Sequence, residues 1–347
     1  MKDIKINPSA SIKEAMEFLD KTAEKCLLVT TEDNKLLGTI TDGDLRRSIL
    51  NGSQFSEKIE SYFNTNPTIL NQDDYNEEKG KTLLSTKNLT MIPVVDNDRN
   101  VVDFVTWSTL NENKKQINLD VPVIVMAGGE GKRLKPFTNV LPKPLIPIGD
   151  KTIIEHIIER FTKIGCKQFY LTVNYKSRVL KAYLEDLNSN YVTKFIEEKK
   201  PLGTAGSLHL MEGLLDKPFF VTNCDIIVKA EYENIYKFHL NGGYDLTLVA
   251  SAKEYKIPYG TCELNKNGDL LRINEKPQHD YLINTGLYIL NPEILDLIPK
   301  NKFFHITQLI EKIMTKNSKV GVYPVNDNAW IDVGQWNEYK KAREKLL

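Results

Sequence analysis

Residues Val123–Leu145 read VIVMAGGEGKRLKPFTNVLPKPL. The apolar run Val123–Ala127 has the composition of a buried parallel strand. It breaks into Gly128, Gly129, Glu130 and Gly131. Glycines at the carboxyl end of a strand let backbone N–H groups come close to a phosphate. Two cations follow at once, Lys132 and Arg133, and a third, Lys143, stands between Pro142 and Pro144. A glycine loop with fixed positive charge suits phosphoryl chemistry.

Two common phosphate loops are excluded by the letters. A Walker loop requires Ser or Thr after Gly-Lys, and here Arg133 follows Gly131-Lys132. A dinucleotide fingerprint requires a third glycine, and Leu134 occupies that place. A plain strand-to-loop turn would account for the glycines but not for Arg133 and the proline-bracketed lysine.

The string resembles the signature of sugar-1-phosphate nucleotidylyltransferases, G-G-x-G-x-R-L-x-P-x-T followed by P-K-P-L. It matches at Gly128, Gly129, Gly131, Arg133, Leu134, Pro136, Thr138 and Pro142–Leu145. The resemblance implies that a nucleoside triphosphate lies over Ala127, Gly128, Gly129 and Gly131. It also implies that Arg133 holds the triphosphate and that Lys143 offsets charge at the reacting centre.

Bulk properties bound the rest. With 347 residues the chain has room for two or three domains. Lys plus Arg and Asp plus Glu both number 46, which speaks against the basic surplus of a nucleic-acid protein. No apolar stretch reaches membrane-spanning length, and MKDIKINPSAS has no signal-peptide apolar region. The four cysteines are scattered without C-x-x-C, so free thiols in a reducing cytoplasm are expected. Cys224 reads as a small buried hydrophobe.

The polar run 111–120, NENKKQINLD, reads as a linker. The expected organisation is an N-terminal module over 1–112, a linker over 113–120 and a larger α/β domain over 121–347. The module contains an imperfect repeat of some 60 residues in a helix-strand-strand-helix pattern. One half holds a helix over Ser11–Asp20, then CLLVT and LLGTITDGDL; the other holds a helix over Asn76–Asn88, then MIPVVD and VVDFVTWSTL. This resembles a cystathionine-beta-synthase (CBS) domain pair, an α+β regulatory module. The resemblance implies an adenine nucleotide, AMP or ATP, held through Thr41, Asp44 and Arg46. It also implies assembly of the chain as a homo-oligomer through this pair. A carboxylate suits two ribose hydroxyls because it accepts both hydrogen bonds. In the second half Thr109 stands where Asp belongs and Val102 where a glycine is usual. One nucleotide site is therefore expected, and a dimerisation platform without ligand is the alternative.

The C-terminal part alternates strand-like and helical stretches, which implies a mostly parallel sheet covered by helices. Strands are expected at 123–127, 169–173, 218–223 and 246–250. Ile153, Ile154, Ile157, Ile158, Phe161 and Ile164 repeat at helical spacing, and Gly165 ends the helix. The resembling family adds that this is a Rossmann-like, GT-A-like nucleotidyltransferase fold with a mixed sheet.

PFFVTNCD ends an apolar strand in Asp225, and ligands of open α/β sheets sit beyond the carboxyl ends of strands. Magnesium favours carboxylates, waters and phosphate oxygens, so a second acid should converge on Asp225. Trp330-Ile331-Asp332-Val333-Gly334 offers Asp332. By resemblance Asp225 and Asp332 bind the catalytic Mg2+; a helix cap is the bland alternative for Asp225. The resemblance also implies a sugar pocket from Tyr259, Gly260, Glu275, Asn284, Thr285 and Gly286, with Lys276 on the sugar phosphate. Without the family, Glu275-Lys276 is only an exposed charged pair.

EEKKPLGTAGSL, residues 197–208, resembles the base-reading segment, with Gly203, Thr204 and Ala205 against the nucleobase. Glu198 stands where related enzymes carry a glutamine that reads uracil or thymine. A carboxylate only accepts hydrogen bonds, and guanine presents two adjacent donors, so Glu198 favours GTP. The alternative is a solvated Glu198 paired with Lys199 or Lys200.

The sequence thus reads as a cytoplasmic nucleotidylyltransferase acting on a nucleoside triphosphate and a sugar 1-phosphate, without nucleic-acid or membrane partners. The architecture resembles the glucosamine-1-phosphate guanylyltransferases of legionaminic acid synthesis. Mannose- and heptose-phosphate guanylyltransferases, uridylyl- or thymidylyltransferases, and an adenine-nucleotide sensor with an inactive transferase domain are the competing readings.

Overall fold

The computed structural model describes residues 3–346 except 23, 88, 107–118, 188 and 317. Thr109 and most of the expected linker therefore lie outside the described residues. The chain divides into two compact units, Met1–Lys115 with Ala252–Leu282, and Gln116–Ser251 with Ile283–Leu347.

The N-terminal module is a duplicated motif. Its first half runs β1 (Lys5–Ile6), a helix Ile12–Thr22, β2 (Cys26–Thr30), β3 (Leu36–Thr41) and a helix Asp42–Leu50. Its second half runs β4 (Leu70–Asn71), a helix Glu77–Thr86, β5 (Met91–Val95) and β6 (Val101–Thr106). Each half forms a three-stranded sheet, β1-β2-β3 and β4-β5-β6, in which the first pair is parallel and the second antiparallel. The helix Ile12–Thr22 buries Ile12, Ala15, Met16 and Leu19 at the 3.6-residue spacing its sequence shows.

Matching elements of the halves start 65 residues apart: Lys5 and Leu70, Ile12 and Glu77, Cys26 and Met91, Leu36 and Val101. The hairpin turns repeat the offset, with Asn34 and Arg99 at φ 66° and 64°. The two turns also bond each other reciprocally: Leu36 N donates to Arg99 O at 2.9 Å and Val101 N to Asn34 O at 3.1 Å. The halves thus meet about a local two-fold axis through these turns. The offset corrects the sequence reading of the second half. Asp103, not Val102, is the counterpart of Gly38. Gly38 is glycine because a Cβ there would lie 2.2 Å from Asn64 O and 2.5 Å from the Phe63 ring.

The second unit is an α/β domain. Its strands begin with β7 (Val123–Met126), the small pair β8 (Pro147–Ile148) and β9 (Lys151–Thr152), β10 (Gln168–Val173), β11 (Val192–Glu197), β12 (Phe219–Asn223) and β13 (Ile226–Val228). They continue with β14 (Leu246–Lys256), β15 (Thr261–Leu264), β16 (Leu270–Asn274), β17 (Gln278–Leu290), β18 (Val320–Asn326) and β19 (Trp330–Asp332). The main sheet has the order β11-β10-β7-β12-β17-β14-β18. β11, β10, β7 and β12 are parallel, and β17 joins β12 antiparallel. The sheet is therefore mixed and mostly parallel on the nucleotide-loop side, as its near-continuous apolar strands require. The helix Ile153–Thr162 opens with a reciprocal capping box between Thr152 and Glu155 and buries Phe161 and four of the five expected isoleucines; Ile164 lies beyond its end and is half-buried. Gly165, at φ 95°, turns the chain after it.

Strands β14 and β17 cross the division between the units. The segment between them, residues 252–282 with the β15–β16 hairpin, groups with the N-terminal module. Sequence patterning gave no sign of this arm, because its residues lack a buried face.

Candidate active site

The glycine loop leaves the end of β7, where Ala127 N donates to Thr172 O of β10 at 3.0 Å. Gly131 adopts φ 65° and begins a single 3-10 turn over Lys132–Leu134. A Cβ on Gly131 would lie 2.8 Å from Thr138 Cγ2 and 3.2 Å from Lys143 Cβ, whereas Gly129 faces open space. Thr138 Oγ1 donates to Gly131 O at 3.0 Å and holds the turn. A second anchor escaped sequence reasoning. Trp336 Nε1 donates to Lys135 O at 2.7 Å, and its ring lies 4.9 Å from that of Phe137. The C-terminal helix Trp336–Leu346 thereby braces the phosphate loop.

Asp225 sits between β12 and β13, not at a helix N-terminus, which removes the capping alternative. β13 pairs antiparallel with β19, and Ile226 stands opposite Asp332. Val333 N donates to Asp225 O at 2.8 Å. This ladder brings together two acids more than a hundred residues apart. A Cβ on Gly334 would lie 2.8 Å from Asp225 Oδ2, 2.8 Å from Asp332 Oδ1 and 3.4 Å from Lys143 Nζ. Two carboxylates and the lysine thus converge on one point, and only glycine leaves that point clear. Lys143 is 8% exposed, and its Nζ forms an ion pair with Asp225. Burial holds the Asp332 carboxyl above its ordinary range; the Asp225 charge adds to this, against the pull of Gly334 N, Lys143 and Arg133. The donor set suits a hard divalent cation, which favours oxygen ligands and tolerates few protein carboxylates. Among the described residues no group of three or more His, Cys, Asp and Glu side chains is placed to hold a metal.

Glu198 follows β11 and is 8% exposed. The solvated pairing with Lys199 or Lys200 is thereby excluded. Its Oε2 accepts from Leu202 N at 3.1 Å, and its Oε1 lies 2.6 Å from where a Gly128 Cβ would stand. Burial raises its pKa above the ordinary 4.5, partly opposed by hydrogen bonding to Leu202 N. Asn174 Nδ2 donates to Glu198 O at 2.6 Å and fixes its backbone. Asn174 was missed in the sequence, although it follows the apolar β10 as Asp225 follows β12. The glycine loop and the segment 197–208 therefore touch.

Other expected site residues have visible structural duties. Gly203 is at φ 82°, and its Cβ direction is filled by Phe304 O at 2.7 Å. Ala205 N and Gly206 N donate to that same carbonyl. Thr204 Oγ1 accepts from Ile306 N at 3.0 Å, at the start of the helix Ile306–Thr315. Thr285 is buried and donates to Val249 O at 2.8 Å. Asn284 Oδ1 accepts from Gly286 N at 3.0 Å, and Gly286 packs against Asn223. On the arm Tyr259 and Lys276 are exposed, and a Cβ on Gly260 would lie 3.0 Å from Glu275 Oε2. In the N-terminal module Thr41 and Asp44 form a capping box, with Thr41 N and Oγ1 donating to Asp44 Oδ2 at 2.8 and 2.7 Å. Arg47 pairs with Asp44, and Arg46 forks onto Asp42 at 2.6 and 2.7 Å.

The nucleotidyl transferase family model matches residues 122–347, which include the loop, both acids, Glu198 and the arm. The chain belongs to the nucleotidyl transferase family. A CBS domain model matches residues 1–51, the first half of the duplicated module. The chain is 35% identical over 225 residues to a mannose-1-phosphate guanyltransferase of Debaryomyces hansenii. It is 36% identical over 224 residues to a mannose-1-phosphate guanylyltransferase catalytic subunit beta of Dictyostelium discoideum. Each alignment covers 62% of this chain and 62% of the relative, so the chain spans about 62% of the length of these curated relatives. Among solved structures, HddC from Yersinia pseudotuberculosis superposes at TM-score 0.52 with 26% identity, over 65% of this chain and all of that one. HddC complexed with GMP-PN superposes at TM-score 0.51 with 25% identity, over the same shares. Among the described residues no helix of the chain is long and apolar enough to cross a membrane. Its Cys26, Cys166 and Cys224 are buried free thiols, each pushed up to about 12 by burial, and Cys262 is exposed.

Proposed function

We propose that this transferase is a sugar-1-phosphate guanylyltransferase. The observation that carries the reading is the convergence of Lys143, Asp225 and Asp332 on Gly334, in a chain whose glycine loop touches the buried Glu198. A phosphate oxygen of the sugar 1-phosphate attacks the α-phosphorus of GTP in line. The new P–O bond forms as the bond to the β-phosphate oxygen breaks, and pyrophosphate leaves with that electron pair. The nucleophile is already an anion and needs no general base; catalysis is positioning and electrostatic stabilisation. Arg133 and Lys143 offset charge on the triphosphate, and Lys276 binds the sugar phosphate. Asp225 and Asp332 would hold Mg2+, whose charge, when bound, offsets that of the phosphates. Glu198 accepts from guanine N1–H and the 2-amino group, while Ala127, Gly128, Gly129, Gly131, Gly203 and Thr204 border the nucleotide. Tyr259, Gly260, Glu275, Asn284, Thr285 and Gly286 form the sugar side.

Glucosamine 1-phosphate is the first candidate acceptor, because a CBS module precedes the transferase region as in legionaminic acid enzymes. Mannose 1-phosphate is the second, favoured by the names of the curated relatives. In this reading the enzyme is cytoplasmic. It is a homo-oligomer through the CBS module, which takes AMP or ATP at Thr41, Asp44 and Arg46. The test is pyrophosphate release over a panel of GTP, UTP, dTTP and ATP against glucosamine, mannose and heptose 1-phosphates. GTP-dependent release is the expected result. Preference for UTP or dTTP would overturn the base assignment, and silence with every pair would leave a nucleotide-binding sensor.

A further inference from the structure

The arm, residues 252–282, is tied to the N-terminal module at two points that meet. On its outgoing leg Glu254 pairs with Lys13 at 2.7 Å, and the Glu254 side chain is only 15% exposed. On its returning leg Asp280 Oδ2 accepts from Phe55 N at 2.6 Å. Lys13 and Phe55 are themselves joined, Lys13 N donating to Phe55 O at 3.0 Å. Phe55 is buried in the module's core, and Ala252 at the arm's base packs on the same core. The two legs also bond each other, Ile257 N to Pro277 O at 3.0 Å, three residues beyond Glu254 and Asp280 respectively. Immediately outside this bond stand Tyr259-Gly260 on one leg and Glu275-Lys276 on the other. The β15–β16 hairpin beyond is two-stranded, and such a hairpin is marginal by itself.

We propose that Lys13, the Phe55 backbone, Glu254 and Asp280 are positioning groups that set the acceptor side of the reaction. The N-terminal module then acts on sugar 1-phosphate binding through the base of the arm. This rests on the reading of Tyr259, Gly260, Glu275 and Lys276 as sugar-side residues. The clamp groups touch no substrate in this proposal; they fix the frame that carries those that do.

The test is a full-length double variant, Lys13→Ala with Asp280→Ala, beside a charge exchange, Lys13→Glu with Glu254→Lys. The double variant should raise KM for the sugar 1-phosphate by about fivefold or more, in the range of couplings between sites. KM for GTP and the melting temperature should hold, and amide exchange within 257–277 should accelerate. The charge exchange should return KM toward the wild-type value relative to Lys13→Glu alone. Unchanged exchange in 257–277, or an equal rise of both KM values, would overturn the clamp. The underlying reading has its own control in Lys276→Met. If that variant leaves the sugar KM unchanged while exchange in the double variant accelerates, the sugar-side assignment fails and the clamp on the arm stands.

Discussion

Asp225 and Glu275 belong to regions built by opposite means. Asp225 follows a strand whose residues are buried from Phe219 to Thr222, and its carboxylate is fixed by a ladder to β19 and by Lys143. Glu275 follows a hairpin whose Leu264, Leu270, Leu271 and Ile273 are 54–66% exposed. The first region draws its geometry from a packed core, where side chains cannot shift without opening cavities. The second has no buried residue between 252 and 282, and its two legs are tied to the N-terminal module at Lys13 and Phe55. Under the proposed function, the region of Asp225 and Asp332 is therefore expected to be rigid, and the arm carrying the proposed sugar-side residues to depend on the N-terminal module.

The largest expected effects lie in the rigid region. Asp225→Asn and Asp332→Asn should each lower kcat by more than about a hundredfold, since each removes a charge that would hold the cation. Circular dichroism and melting should stay near wild type. A near-normal rate at saturating Mg2+ in either variant would break the assignment. Lys143→Met should cost on the order of a hundredfold in kcat, the scale of one preorganised transition-state donor. An effect below about threefold would take Lys143 out of the reacting centre.

A smaller effect is expected at Glu198. Glu198→Gln should reduce the preference for GTP over UTP by roughly tenfold, as expected for one hydrogen bond to a charged group. The same side chain gives a pH signature. Burial raises its pKa above 4.5, so the folded chain binds this proton more tightly than the unfolded chain does. The buried charge costs stability above the raised pKa, and the cost is relieved as pH falls through it. The same protonation turns one of its two acceptor oxygens into a donor, which no longer matches the paired donors of guanine. GTP preference should therefore decay on acidification at a pH above the ordinary Glu range, and the Glu198→Gln variant should lack that decay. A wild-type preference independent of pH down to the ordinary range would argue against guanine reading by this carboxylate.

The smallest effect belongs to the duplicated module. Asp44→Ala should abolish any rise in melting temperature caused by AMP or ATP, because two ribose hydrogen bonds are lost at about 1–3 kcal/mol. Calorimetric titration should return one site per chain. Two equivalent sites would mean that the second half keeps a ligand despite Thr109, and no site would leave the module a scaffold.

The local motifs were legible in the letters because their chemistry is written in consecutive residues. The glycine loop, the proline-bracketed Lys143, the strand end at Asp225 and the apolar stripe of Ile153–Thr162 depend on neighbours within a few positions. Their strands appear within a residue of the expected starts. Of the main sheet, β7, β10, β12 and β14 were legible from their apolar runs and the mixed character from the family resemblance, whereas β11, β17 and β18 were not. The antiparallel β17 continues into an exposed arm, so its apolar half has no partner pattern nearby in sequence. The duplication is visible in the letters, and Thr106 and Thr109 fall opposite Thr41 and Asp44 at the observed offset of 65; only the counterpart of Gly38 is one residue out, Asp103 rather than Val102.

What tertiary structure alone decided are the contacts made at great separation along the chain. Glu198 is a buried carboxylate against Gly128 rather than a solvated one beside Lys199, and nothing in EEKK distinguishes the two. The clamp joins residues 241 and 225 positions apart. Each of its single bonds is too weak to leave a trace in composition or periodicity. Sequence by itself determined which backbone can form strand, turn and phosphate loop, because those choices are settled by local sterics and burial. The packing of distant segments determined which carboxylates face each other and which segment carries the arm, because charge and hydrogen bonding act through space and not along the chain.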